Sequence, residues 1–134
     1  MLTEQGLGPA LASLAERAPL PVLLTTPSER LPAVIETAAY FVCSEALANV
    51  AKHARATRVD IQVRSEGGTV RVLIADDGVG GAEPSAGSGL NGAADRIGAL
   101  GGRLLVRSPP GGGTQLLAEI LAAPPVPELE IPKA

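Results

Sequence analysis

The sequence predicts an α+β two-layer sandwich in which three helices pack on one mixed, mostly antiparallel sheet. Three observations predict it. Apolar residues recur at helical spacing in two long stretches. Val and Ile alternate with polar residues in paired runs joined by glycine turns. The chain has 134 residues, 46% hydrophobic and 19% charged, which suits one domain with one core.

Taken in order, residues 3–18 read as a helix with Leu7, Leu11, Leu14 and Ala15 on one face, stopped by Pro19 and Pro21. Val22 to Thr25 is a short apolar strand. Thr26-Pro-Ser-Glu-Arg30 is a turn, and Pro32 suits a first helical turn. From Leu31 to about His53 there is no glycine and no proline after Pro32, so this stretch reads as one long helix. Ala39, Cys43, Ala46, Leu47, Val50 and Ala54 share its buried arc, and Glu45, Asn49, Lys52 and His53 lie on the other side. In Arg58 to Arg64, Val59, Ile61 and Val63 face one way. Gly67-Gly68 signals a hairpin, after which Val70, Val72 and Ile74 alternate again. Residues 78–90 form a Gly/Ser/Pro loop. Asn91 to Leu100 is a short helix capped by Gly101-Gly102. Strands at Arg103 to Arg107 and Thr114 to Ala122 flank the turn Pro109-Pro-Gly-Gly-Gly113. The domain is thus expected over residues 1–122, with 123–134 a Pro-rich, unstructured tail.

Composition removes several function classes. Tyr40 and Phe41 are the only aromatics, so a base-stacking RNA surface is not expected. A net charge of -3 argues against electrostatic binding of nucleic acid. One cysteine, Cys43, and one histidine, His53, leave no disulfide and no Cys- or His-rich metal site. No apolar run approaches the roughly 20 residues that span a bilayer. The opening MLTEQGLGPAL lacks a basic signal-peptide start. The expectation is a cytoplasmic domain without membrane contact.

On the long helix, Glu45, Asn49 and His53 are spaced four apart and step only about 40° around the axis. Lys52 lies between the last two. A carboxylate and an amide oxygen suit Mg²⁺, and an ammonium suits a phosphate. The same face also reads as a solvated surface with i, i+4 pairs, although Asn is a mediocre mid-helix residue. After the third strand, Asp76-Asp77-Gly78-Val79-Gly80 places a carboxylate at a strand end, backed by glycines that admit a ligand close to the backbone. An ordinary Asp-Gly turn is the alternative, but it leaves the long glycine-rich stretch unexplained. Gly87-Ser-Gly89-Leu90-Asn-Gly92 fits G-x-G-x-x-G, yet it does not directly follow a strand, and residues 103–118 contain no acid. That excludes the dinucleotide fingerprint. What survives is a glycine-opened helix whose free N–H groups favour an anion. Cys43 falls in the apolar arc and reads as a core thiol.

In this order, the stretches resemble a known family. Tyr40-Phe-Val-Cys-Ser-Glu45-Ala-Leu-Ala-Asn49-Val-Ala-Lys-His53-Ala resembles the N box of the GHKL ATPases. Asp76-Asp-Gly78-Val-Gly80 and Gly87-Ser-Gly89-Leu90-Asn-Gly92 resemble its two glycine boxes. Ala94-Asp-Arg96-Ile-Gly-Ala-Leu-Gly-Gly102 is similar to the next helix in sensor histidine kinases that pair with NarL-type response regulators, and Gly113-Thr114 to the closing Gly-Thr element. The likeness covers roughly residues 30–122.

The resemblance implies a Bergerat fold holding ATP between the long helix and a lid. Asp76 would accept a hydrogen bond from the adenine amino group, with Thr114 behind the ring. Asn49 would coordinate Mg²⁺, and Glu45 would be the base or water-positioning carboxylate. Lys52 and His53 would lie near the phosphates. Gly78, Gly80, Gly87 and Gly89 would shape the lid, with Leu90 and Gly92 beside it. Gly81 stands where many relatives carry a bulkier apolar residue, and the lid is short. The helical hairpin that dimerises and carries the phosphoacceptor His lies outside the likeness, and His53 is not that acceptor. The implied partners are that hairpin domain and a NarL-type response regulator. An anti-sigma-factor serine kinase of the same fold is the alternative, with acid-stable phosphoserine as its mark.

Overall fold

The computed structural model describes residues 6–51, 55–79 and 90–121. In chain order these form α1 (Leu7–Glu16), β1 (Val22–Thr25), α2 (Ala33–Asn49), β2 (Val59–Glu66), β3 (Thr69–Asp76), α3 (Leu90–Ala99), β4 (Arg103–Arg107) and β5 (Thr114–Leu121). The strands lie in the order β1-β2-β3-β5-β4. β1 runs parallel to β2, and the other pairings are antiparallel. Connectivity explains the difference. The α2 crossover separates β1 from β2, whereas Gly67 and Gly68, both at positive φ, close a tight β2–β3 hairpin.

Alternation makes the sheet two-faced. Val59, Ile61 and Val63 on β2 and Val70, Val72 and Ile74 on β3 are buried, as are Leu116, Ala118 and Ile120 on β5. The three helices cover this face with Leu7 and Leu11 from α1, Ala39 and Val42 from α2, and Ala93 and Ile97 from α3. On the other face Glu119 accepts hydrogen bonds from Arg71 Nε at 3.1 Å and Arg103 Nε at 2.8 Å. Solvent screens such pairs, so they add little stability. Cys43 is fully buried within α2, and burial pushes its thiol up to about 12, so it stays neutral and unreactive. This two-layer α+β sandwich is the predicted architecture, with boundaries moved by a few residues.

The boundary differences are largest in the first two helices: α1 runs over Leu7–Glu16 against the expected 3–18, and the long helix α2 is shorter at both ends. It begins at Ala33, two residues after the predicted start, and its regular α-helix ends at Asn49 rather than near His53. Pro32 sits at the N-cap with an extended backbone (ψ 142°), and Val50 and Ala51 form a π-type turn. Lys52, His53 and Ala54 lie outside the described residues, as does the expected tail from 123 onward. The N-terminal limit has a polar cause. Glu36 is buried, with 2% of its surface exposed. Its carboxylate accepts two hydrogen bonds from Arg30, at 2.9 and 3.1 Å, and one from the Leu31 N–H at 3.1 Å. The Leu7 backbone also stabilises the charge, so the carboxyl is held below its ordinary range, chiefly by Arg30. One buried acid thereby ties the start of α1 to the start of α2. Such a group is tolerated inside a core only when it is this fully bonded.

At the end of α3 the Gly102 N–H donates to the Ile97 carbonyl and the Gly101 N–H to the Gly98 carbonyl, both at 3.0 Å. This is a Schellman stop with Gly101 in the left-handed region (φ 78°). Gly98 differs from both: its φ is helical, and a Cβ there would meet open space. Gly98→Ala is expected to stabilise the domain by about 0.5–1 kcal/mol by restricting the unfolded chain. A urea melt would read this as a higher midpoint at unchanged slope.

Candidate functional site

The strand register decides which chain ends meet. Val59, which opens β2, pairs with Asp76, which closes β3. Asp76 pairs on its other side with Thr114, which opens β5. Because α2 leads into β2, its C-terminal turns approach this same end of the sheet. Because α3 leads into β4, whose first residue Arg103 pairs with Glu119 toward the far end, α3 begins at the near end. Asn49, Asp76, Thr114 and the first turn of α3 are thus gathered from four separate stretches by topology alone.

Asp76 is half-buried. Its Oδ1 accepts the Gly78 N–H at 2.8 Å, and the Thr114 backbone also favours its charged form. Burial outweighs these bonds, with the neighbouring Asp77 charge adding to it, and the carboxyl is raised above its ordinary range. A carboxylate placed this way is ready to accept a ligand donor. Asp77 has a different job. Its carboxylate takes the Thr57 N–H at 2.7 Å, the Thr57 hydroxyl and the Arg58 N–H at 3.2 Å. These bonds, chiefly those from Thr57, lower it to about 2. Asp77 therefore fastens the entry to β2 onto the exit of β3 and is a structural clamp.

Across the strand pair, the Ser108 and Thr114 hydroxyl oxygens lie 2.6 Å apart. The Gly111 N–H donates to the Val79 carbonyl at 2.5 Å, which ties the β4–β5 turn to the backbone just after Asp76 and Asp77. Gly113 packs against the Asp76 carbonyl oxygen so closely that a Cβ would collide with it.

On α2, Glu45 and Asn49 are half-buried one turn apart. The Asn49 Nδ2 is buried and has no hydrogen-bond partner among the described residues. A buried amide left without a partner costs free energy, so this position is able to take one from a ligand. The nitrogen there can donate to a phosphate, and turning the amide over puts the oxygen in its place, which can ligate a cation. Among the described residues no cluster of three His, Cys, Asp or Glu side chains could hold a metal. A cation at Asn49 could draw further ligands from phosphate oxygens and water, which is the usual habit of Mg²⁺.

The structure thus gathers Asn49, Asp76, Gly78 and Thr114 at one end of the fold, with Glu45 one turn back along α2. Gly92 sits in the first turn of α3, where a Cβ would lie 3.9 Å from Phe41 Cζ. Leu90 opens that helix. Lys52, His53, Gly80, Gly87 and Gly89 lie outside the described residues. The resemblance singled out Asp76, but the residue pattern alone did not separate the two aspartates and gave no role to Asp77, which could have been paired with the Thr57 that precedes β2. Sequence reasoning also missed the contact between Arg96 and Phe41, whose guanidinium carbon and ring centroid are 4.2 Å apart.

The carboxyl shifts set the acid response. Glu36, Asp77 and Glu119 are held below their ordinary values, so the stability they confer is present above those values and lost as pH falls through the folded ones. Asp76, raised by burial, works the other way and offsets part of the loss. The unfolding midpoint is expected to drop between about pH 4 and pH 2, the interval set by Asp77. In Asp77→Asn the drop should be shallower; an identical profile would show that the Thr57 clamp contributes nothing.

Comparison with known proteins identifies the family. Residues 35–124 match the family described as histidine kinase-, DNA gyrase B-, and HSP90-like ATPase, and the chain belongs to that family. It is an ATP-binding domain of the family's fold. It is 36% identical over 95 residues to the signal transduction histidine-protein kinase/phosphatase DegS of Brevibacillus brevis, an alignment covering 69% of this chain and 25% of DegS. Among solved structures, it resembles the blue-light activated histidine kinase EL346 of Erythrobacter litoralis with a TM-score of 0.74 and 25% identity, covering 87% of this chain and 42% of that one. It also resembles the ATP binding domain of PrrB from Mycobacterium tuberculosis, with a TM-score of 0.65 and 28% identity, covering 87% and 90%. The chain spans about a quarter of the length of the curated relatives it matches.

Proposed function

We propose that this chain is the ATP-binding catalytic domain of a two-component sensor histidine kinase. The observation that carries this reading is Asp76, a half-buried carboxylate closing β3, fixed by backbone donors and set at the same end of the sheet as a buried amide nitrogen on α2 that has no partner among the described residues. On this reading Asp76 accepts the adenine amino group and Thr114 lies behind the base. Gly78, Gly80, Gly87 and Gly89 shape the surrounding lid, with Leu90 and Gly92 at its end. Phosphates extend toward Lys52, His53 and the N-terminus of α3. Asn49 and the phosphates fit Mg²⁺, which neutralises phosphate charge when bound.

The reaction is transfer of the γ-phosphoryl group to a histidine on a dimerisation domain of the same kinase. An imidazole nitrogen attacks the γ-phosphorus, the bond to the bridging oxygen breaks, and ADP leaves. Glu45 is the carboxylate to receive the imidazole proton. This chain's share is chiefly positioning and charge stabilisation. The phosphoryl group then passes to an aspartate of a response regulator, with DegS favouring the NarL type. The domain works in the cytoplasm. No described helix is long and apolar enough to cross a membrane.

Calorimetric titration with a non-hydrolysable ATP analogue and Mg²⁺, beside the matching GTP analogue, tests the site. Adenine-selective binding is expected; equal or absent binding would overturn the assignment. Adding the parent kinase's hairpin domain tests the reaction, since phosphohistidine is acid-labile. Acid-stable phosphoserine on a partner would instead indicate the serine-kinase alternative.

A further inference from the structure

Phe41 lies one helical turn before Glu45 and two before Asn49, so the three side chains rise along one line of α2. Its half-buried ring meets the Arg96 guanidinium at 4.2 Å from the centroid, within range of attraction between a cation and a ring face. Arg96 forms no carboxylate pair among the described residues. One turn earlier on α3, Gly92 approaches the edge of the same ring. The adjoining face of α3 is anchored by Ala93 and Ile97, both fully buried. The helix is therefore held in two directions: toward the core by two aliphatic side chains, and toward α2 by Arg96 on Phe41.

We infer that Arg96 is a positioning residue for nucleotide binding, clamping α3 to the helix that carries Glu45 and Asn49. The inference rests on the nucleotide-binding reading above. The first turn of the ten-residue α3 offers backbone N–H groups that favour an anion, but only at a fixed distance from the groups that hold the rest of the ligand. Phe41 shares its line on α2 with those groups. Releasing the guanidinium lets α3 shift against α2, and apparent affinity falls with the fraction of molecules that keep the competent placement. Planar stacking favours Arg, while Lys retains the charge and part of the ring attraction.

The test is a double-mutant cycle on the chain itself, using the Mg²⁺-loaded ATP analogue and amide hydrogen exchange without nucleotide. Arg96→Met and Phe41→Leu are each expected to weaken binding roughly two- to fivefold, the scale of an exposed contact between a cation and a ring. The double variant should be no weaker than the poorer single, and Arg96→Lys should recover part of the loss. Exchange should quicken in α3 while β2 and β3 stay protected, which a general loss of folding would not produce. If the unaltered chain binds no adenine nucleotide, the reading beneath this inference fails, and the inference with it. If the unaltered chain binds and Arg96→Met is indistinguishable from it, or if the two losses multiply, the role of Arg96 alone is overturned.

Discussion

Asp76→Asn is expected to weaken binding of the Mg²⁺-loaded ATP analogue by roughly ten- to a hundredfold while leaving the fold intact. The carboxylate already takes the Gly78 N–H at 2.8 Å and is stabilised by the Thr114 backbone. An Asn oxygen can keep the Gly78 bond, so the turn survives. The amide then presents –NH₂ where the second carboxylate oxygen stood, and a ligand amino group meets a donor instead of an acceptor. A hydrogen bond to a charged acceptor contributes about 1.5–3 kcal/mol, which converts to that range of affinity. A guanine analogue presents a carbonyl at the corresponding position, and the new amide can donate to it. Selectivity should therefore narrow from both sides. The variant's unfolding midpoint separates the causes. Burial disfavours the Asp76 charge, so its removal should leave the midpoint unchanged or raised. A binding loss together with a lower midpoint would show that Asp76 holds the fold rather than the ligand.

The parts of this molecule that a sequence exposes are those governed by local periodicity. The alternation of Val59, Ile61 and Val63 and of Val70, Val72 and Ile74 predicts a two-faced hairpin, and those side chains are the buried ones. Gly101 and Gly102 mark a helix end because the left-handed stop is a local geometry. Glu36 was not legible, because a carboxylate inside an apolar helix becomes acceptable only through Arg30 and Leu31, whose bonds require the chain to turn back. Asp76 and Asp77 look alike in one dimension. Strand pleating sends their side chains to different neighbours, and only the fold supplies Thr57 as a partner for one of them. Arg96 and Phe41 are fifty-five positions apart and meet only because α2 and α3 share the same face of the sheet. Glu45 and Asn49 stood out by their spacing on one helix. That α2 ends toward the Asp76 end of the sheet follows from topology and strand register, which the spacing does not encode.

Gly113→Ala is expected to cost about 2–5 kcal/mol and to remove nucleotide binding, whereas Gly111→Ala should cost only about 1–2 kcal/mol. The two glycines share the same turn and nearly the same left-handed backbone, each with φ of 77°. An L side chain is therefore strained to a similar degree at both. Their surroundings differ. A Cβ at Gly111 meets nothing within 4 Å, while one at Gly113 collides with the Asp76 carbonyl oxygen. Relief requires β5 to move away from β3 where Thr114 pairs with Asp76, or the Asp76 backbone to shift. Either movement disturbs the strand end that fixes the carboxylate. The difference between the variants isolates the steric part, because the conformational part is common to both. Urea melts give the two stability changes, and calorimetry on the fraction that stays folded gives the binding. If Gly113→Ala were as stable as Gly111→Ala, the close approach of β5 to β3 would be wrong. If it were less stable but bound the nucleotide normally, the Asp76 carboxylate would hold its position without help from the closing Gly-Thr element, and the link between that element and the site would fail.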